Sequence, residues 1–446
     1  MHPDAKDACN DGVDDDCSGA DAYCGFDGEY YLSKFGLHFP SSEPNYSAGA
    51  AVEVGDLDGD GDDDVLLSTV MADAYNGGAF LLRGPLSADG TLQDRALRIE
   101  SAAETNGAGR SLGIADVNGD GIEDMGLGAP YANEGVYVTY GPVTTDTVVG
   151  DADAVLIADA NGLTCGHGSD LADIDDDGFA DAIIGAYSSS AGGHLSGVAF
   201  VVFGPLSGDY ELLSGADATL IGEAGQLIGQ NVRDAKDVDG DGIGDVFING
   251  VYDDTGGMEA GAMFVVSGPP PSGESAIEDI ALAKLVGPAP YANAGYSMAS
   301  GDVDGDGLPD VIATAVKPSP TAAYAFYSPP ESEGFADAEV IIQGNTGITA
   351  LGMDDLDGDG VVELLLGMST DPTSEPWAGA AYLAYAPPAG SWTVEDVAQA
   401  AFYGAASYDQ AGAAVKFADM DADGTRDVVI GAPSDSGGGG VWVLLP

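Results

Sequence analysis

Asp56 to Asp64 reads DLDGDGDDD, and six later stretches repeat its pattern: DVNGDGIED from Asp116, DIDDDGFAD from Asp173, DVDGDGIGD from Asp237, DVDGDGLPD from Asp302, DLDGDGVVE from Asp355 and DMDADGTRD from Asp419. Each carries an oxygen side chain at positions one (Asp56, Asp116, Asp173, Asp237, Asp302, Asp355, Asp419), three (Asp58, Asn118, Asp175, Asp239, Asp304, Asp357, Asp421) and five (Asp60, Asp120, Asp177, Asp241, Asp306, Asp359, Asp423). Position six is always Gly, and position nine is an acid: Asp64, Asp124, Asp181, Asp245, Asp310, Glu363 and Asp427. A hard cation such as calcium takes six to eight oxygens at about 2.3 to 2.6 Å, and Gly lets the chain turn sharply between ligands. The pattern predicts seven calcium sites of structural role.

The same first five positions open an EF-hand, which closes with a bidentate Glu at position twelve between two helices. Here position twelve is apolar (Leu67, Leu127, Ile184, Ile248, Ala313, Leu366, Ile430), so the loop feeds a strand. Position nine then supplies the last carboxylate. Position seven (Ile122, Phe179, Ile243, Leu308, Val361, Thr425) offers its carbonyl, except where Asp62 adds a side chain. Acidic turns of Asp and Gly also form without metal, but seven in register argue for a ligand set.

Loop starts lie 60, 57, 64, 65, 53 and 64 residues apart, one supersecondary unit repeated seven times. Within each unit a strand enters the loop and a buried-looking strand leaves it, such as DVLLS from Asp64 or DAIIGAY from Asp181. A third strand ends at Pro85, Pro142, Pro205, Pro269, Pro329, Pro387 and Pro446, where the missing amide hydrogen stops pairing. A fourth strand follows six times, for example ALRIE from Ala96, but the chain ends before a seventh. The missing strand must come from elsewhere, and EYYLSKF (Glu29 to Phe35) is the unused candidate. The count predicts an all-β fold: a seven-bladed β-propeller of four-stranded blades, closed by an N-terminal strand completing the last blade.

Gly before a strand, the acidic loop, and a strand ending in GAP (Gly128 to Pro130, Gly431 to Pro433, relaxed to GAY at Gly185) resemble the FG-GAP repeat of integrin α-chain propellers over about residues 29 to 446. The resemblance implies calcium in the hairpin between the first and second strands on one face, and ligands on the opposite face. The chain departs from that pattern in carrying an acidic loop in all seven blades and in replacing most FG phenylalanines, and it implies no integrin-like partner subunit.

Residues 1–27 form a separate segment, in which DACNDGVDDDCSGADAYC (Asp7 to Cys24) resembles the short Asp- and Cys-rich metal-binding motifs of secreted proteins of myxobacteria-like bacteria; residues 28–446 are the propeller. The segment is read either as a Cys9–Cys17 disulfide around a carboxylate-lined loop or as an acidic tail; Cys165 is too remote to pair with Cys24. Met1 opens no apolar run of a signal peptide, reads as a trimmed boundary, and no stretch approaches the roughly 20 apolar residues that span a bilayer. Calcium sites of this kind favour a secreted or cell-surface setting.

With 75 acidic against 12 basic residues, the net charge of −63 excludes nucleic acid and anionic lipid as partners. The metal positions hold only part of this acidity, and the rest reads as solvated surface or salt adaptation. The loops opposite the calcium face collect Tyr46, Tyr75, Tyr131, Tyr187, Tyr252, Tyr291, Tyr296, Tyr408, Trp377, His38, His167 and His194. Tyr131, Tyr187, Tyr252, Tyr291, Trp377 and Tyr408 are the leading contacts for a glycan or protein ligand, since such rings bury large area at small entropic cost; the alternative is that they pack the loops themselves. An acidic-polysaccharide lyase would need a base, for which Lys236, Arg233 or His167 are candidates, but no spacing joins them. A binding or adhesion module without catalysis is therefore expected, ahead of a lyase or a passive spacer.

Overall fold

The computed structural model describes residues 26–70, 77–101, 107–131, 134–158, 162–317, 321–385 and 387–446. The motif around Cys9, Cys17 and Cys24, and Tyr75, lie outside these residues. Seven sheets surround a central axis, and the first strand of each blade contacts that of the next all the way round. The first blade comprises Val52–Gly55, Asp64–Ser68, Gly78–Leu82 and Ala96–Glu100, each antiparallel to the next. The acidic loop joins its first two strands in one fixed register: the residue before position one pairs with position nine, as in Gly55↔Asp64, Ala172↔Asp181 and Ala418↔Asp427. Second strands are buried throughout, which is why they read as unbroken apolar runs.

The ring closes through the N-terminal chain, but not through the segment expected. Blade seven takes Leu37–Pro40 as its outer strand, antiparallel to Gly440–Leu444 with Phe39 opposite Val441. Phe39 is fully buried, whereas Glu29, Tyr30 and Tyr31 of EYYLSKF show mostly exposed faces. Gly28–Tyr31 instead runs parallel to Ala398–Tyr403 on the outside of blade six, and Leu32–Phe35 is a single helical turn. Burial of Phe39 at the blade interface outweighs the better strand propensity of EYYLSKF. Phe26 also packs there, 5.0 Å from the Phe402 ring.

This outside strand recurs, and it extends the four-stranded expectation to five strands in five of the sheets. Thr147–Val148, Gly208–Glu211, Gly273–Ala276 and Gly390–Thr393 each leave the third strand of one blade and pair in parallel with the fourth strand of the blade before. A Val286↔Gly334 bridge makes the same link on blade four, and the His38 N–H donates to Asp89 Oδ1 at 2.8 Å on blade seven. Each connection then turns through one helical turn whose apolar residue (Leu32, Leu92, Val149, Leu212, Ile277, Phe335 or Val394) is buried. Every blade edge is thus covered by its neighbour, which removes the free strand edges an open sheet would present.

Candidate metal loops and the opposite face

Each acidic loop is built around two carboxylates. In blades one, four, five and six the position-one side chain accepts backbone N–H groups from positions four, five and six: Asp56 from Gly59, Asp60 and Gly61 at 2.8, 3.1 and 2.9 Å, and Asp237, Asp302 and Asp355 likewise. The position-nine carboxylate is buried in all seven blades and accepts the N–H of position two, as Asp64 does from Leu57 at 3.1 Å and Glu363 from Leu356 at 2.7 Å. In blades one to five its other oxygen accepts an N–H from the end of the third strand, Gly84, Gly141, Gly204, Gly268 or Ser328. In blade seven that oxygen, Asp427 Oδ1, is buried without a partner, as are Asp421 Oδ1 and Asp173 Oδ1.

Carboxylate oxygens from Asp56, Asp58 and Asp64 lie within 4.8 Å of one another, as do those of Asp173, Asp175 and Asp181, and of Asp237, Asp239 and Asp245. Asp302, Asp304 and Asp306, and Asp355, Asp357 and Asp359, form matching groups. An all-oxygen donor set with orphaned buried oxygens fits a hard divalent cation and no soft one. These clusters can hold a metal.

Burial, reinforced by neighbouring loop carboxylates, pushes the position-nine acids up despite their backbone hydrogen bonds. Asp64, Asp181, Glu363 and Asp427 rise to about 7, and Asp124, Asp245 and Asp310 to about 6.

Position seven has a second role that sequence reasoning missed. In blades two, three, five and six its side chain leans on position four of the preceding loop, so a Cβ at Gly119 would meet the Phe179 ring at 2.3 Å. Position four is left-handed in every blade; Gly59, Gly119, Gly240, Gly305 and Gly358 fill it five times, while Asp176 and Ala422 adopt it at φ 59°. Ala422 carries a Cβ where only Gly is free of strain. Ala422→Gly is therefore expected to raise stability by up to about 1 kcal/mol, read as a higher melting temperature in calcium; a lower one would contradict the assigned conformation.

On the opposite face, Tyr131, Tyr252, Tyr291, Tyr296, Trp377 and Tyr408 are between 43% and 63% exposed, although the Tyr131 ring lies over Gly107 and the Tyr291 hydroxyl meets Met258. Tyr187 is half-buried, edge-on to His167 at 5.1 Å. Tyr46 and His38 do not belong to this set. Tyr46 is buried with its hydroxyl accepting from Arg98 Nη2 at 3.1 Å, because its loop folds over Phe80; His38 sits in the closing strand, stacked on Trp442 and bonded to Asp435. Two loop pairs that carry exposed aromatics are joined by backbone hydrogen bonds. The Tyr408 N–H donates to Pro376 O and the Gln410 N–H to Trp377 O on blade six, while the Tyr291 N–H donates to Met258 O on blade four. Tyr408, Tyr291 and Trp377 have φ of 70°, 64° and 58°. Four residues before the blade's entry glycine, where Tyr408 and Tyr291 stand, other blades place Asn45, Gly162 and Gly225, also at positive φ. Comparing the repeats position by position exposes this substitution in sequence.

Lys236, Arg233 and His167 all line the central channel. The His167 Nδ1–H donates to Gln230 O, and its Nε2 accepts from Arg110 Nε–H, both at 3.1 Å. Burial and the Arg110 charge bring His167 down to about 4. With both ring nitrogens engaged it offers no base.

Fold and loops together define a seven-bladed β-propeller with a ring of acidic, cation-competent hairpins on one face. Residues 302–366 match the FG-GAP-like repeat family. The chain is 29% identical over 225 residues to "Integrin alpha pat-2" of Caenorhabditis briggsae, a match covering 45% of this chain and 17% of that protein. It is 27% identical over 224 residues to "Integrin alpha-5" of Xenopus laevis, covering 48% of this chain and 20% of that protein. The chain is thus a β-propeller that carries an FG-GAP-like repeat over residues 302–366 and is similar over part of its length to integrin α chains, and its matches span a fifth or less of the length of those relatives. Among the described residues no helix is long and apolar enough to cross a membrane.

Proposed function

We propose that this propeller is an extracellular binding or adhesion module. It holds calcium in its seven loops through positions one, three, five, seven and nine, and takes a glycan or protein ligand on the opposite face. The calcium is structural: it compensates carboxylates that the fold crowds together. The observation that carries the ligand reading is the exposed Tyr408 at φ 70°, in the loop bonded to that of Trp377 and in a position that three other blades give to Asn or Gly. A strained, exposed aromatic costs stability and does no packing, which points to a contact with something outside the chain.

Tyr408→Gly tests both halves of this argument. Its melting temperature is expected to hold or rise, as strain is relieved, while binding on glycan and protein arrays in calcium falls at least tenfold. Trp377→Ala should lose binding to the same ligand. Unchanged binding in both variants would leave the module reading without its site, and arrays with no ligand at all would favour a spacer.

A further inference from the structure

The central channel, a cavity of about 500 Å³, gathers four of the chain's 12 basic side chains, Arg110, Arg233, Lys236 and Lys416, although the chain carries a net charge of −63. Two of them are already shared with acids. Lys416 Nζ lies 2.5 Å from Glu53, and Arg233 lies 3.9 Å from both Glu53 and Asp170. Arg110 differs. Among the described residues no carboxylate lies within ion-pair distance of it, which holds for Lys236 too, but Lys236 stands at the acidic-loop end of its strand. The one hydrogen-bond partner of the Arg110 side chain is the neutral acceptor His167, which fixes the guanidinium through Nε and leaves both Nη groups free.

Arg110 and His167 precede the first strands of blades two and three, Leu112–Ala115 and Ser169–Ala172. Those strands run toward the acidic loops, so Arg110 stands at the other mouth. There the lining is polar, with Gln230, Asn231, Ser297 and Thr349 beside the exposed ring of Tyr296. An oriented, unneutralised guanidinium selects a carboxylate. Hydroxyls and amides around it suit a ligand rich in hydroxyl groups. An apolar peptide segment would find little surface here.

We propose that the channel mouth opposite the acidic loops binds the carboxylate of a small sugar acid, held by Arg110. The site is separate from the aromatic rim and does not depend on it. The test uses the full calcium-loaded chain, with galacturonate, galactose and N-acetyl-aspartate amide as probes in saturation-transfer NMR and competition titrations. Galacturonate is expected to bind at millimolar concentration and galactose at least tenfold more weakly. Arg110→Gln should weaken galacturonate at least tenfold without changing calcium content. Ala50→Glu, which sets a negative charge at the same mouth without touching the Arg110–His167 pair, should do the same if Arg110→Gln alters folding. Tyr408→Gly should leave galacturonate binding intact, which separates this site from the rim. Equal binding of galactose, no binding of galacturonate, insensitivity to both channel variants, or binding of the aspartate probe alone would overturn the proposal.

Discussion

Stripping calcium with excess EGTA is expected to lower the melting temperature by about 20 °C. A site held at a hundredfold excess over its Kd contributes about 2.7 kcal/mol, and seven such sites roughly 19 kcal/mol. Unfolding entropy of about 2.1 cal/mol/K per residue over 446 residues converts that into the stated shift. The structural cause lies at position nine, where seven acids are buried at the root of the second strand of each blade. Ionised and without a cation, each faces its own loop's carboxylates across a few ångströms, as Asp64 faces Asp58. Because the loops of blades two, three, five and six also carry, through their position-seven side chains, the loop before them, losses are expected to spread between those neighbours. Scanning calorimetry of calcium-loaded and EGTA-treated protein measures this, and superimposable curves would show that the loops are only turns.

The pH dependence should reverse between the two forms. In metal-free protein the position-nine acids hold their protons up to about 6 to 7, whereas unfolding returns them to ordinary values of 3.8 for Asp and 4.5 for Glu363. Between those limits the native state binds more protons than the unfolded one, so stability falls as pH rises. The contribution is complete below pH 3.8 and lost once pH passes about 7. Asp170 and Asp409, both raised to about 6 by burial, act in the same direction, while His167, held down near 4, opposes them as a single group. Calcium-loaded protein should behave the other way, since protons compete for the carboxylates and release the metal as pH falls from 7. EGTA-treated protein is thus expected to melt higher at pH 5 than at pH 8, and calcium-loaded protein lower. An EGTA series that melts lower at pH 5 would contradict the burial of these acids.

Tyr408 shows how far the repeat carries. Its place on the face opposite the loops follows from counting strands, but its backbone conformation does not. Left-handed φ recurs at that position in five blades, filled without strain by Gly162 and Gly225 and at some cost by Tyr408.

What the sequence by itself determined is everything that recurs within one unit. The acidic loop, the strands that flank it, their order, the seven copies and the need for an N-terminal strand to complete the last blade all rest on local pattern. Tertiary structure decided what depends on contacts between units. It chose Leu37–Pro40 over EYYLSKF, because closure is settled by which side chain fills the gap against Val441 and Trp442, and strand propensity does not register that gap. It added the parallel outer strands, of four residues or fewer, which carry too little periodicity to read. It also brought Arg110, His167, Arg233 and Lys416 to one axis from four blades, since a ring joins residues that lie hundreds of positions apart in the chain.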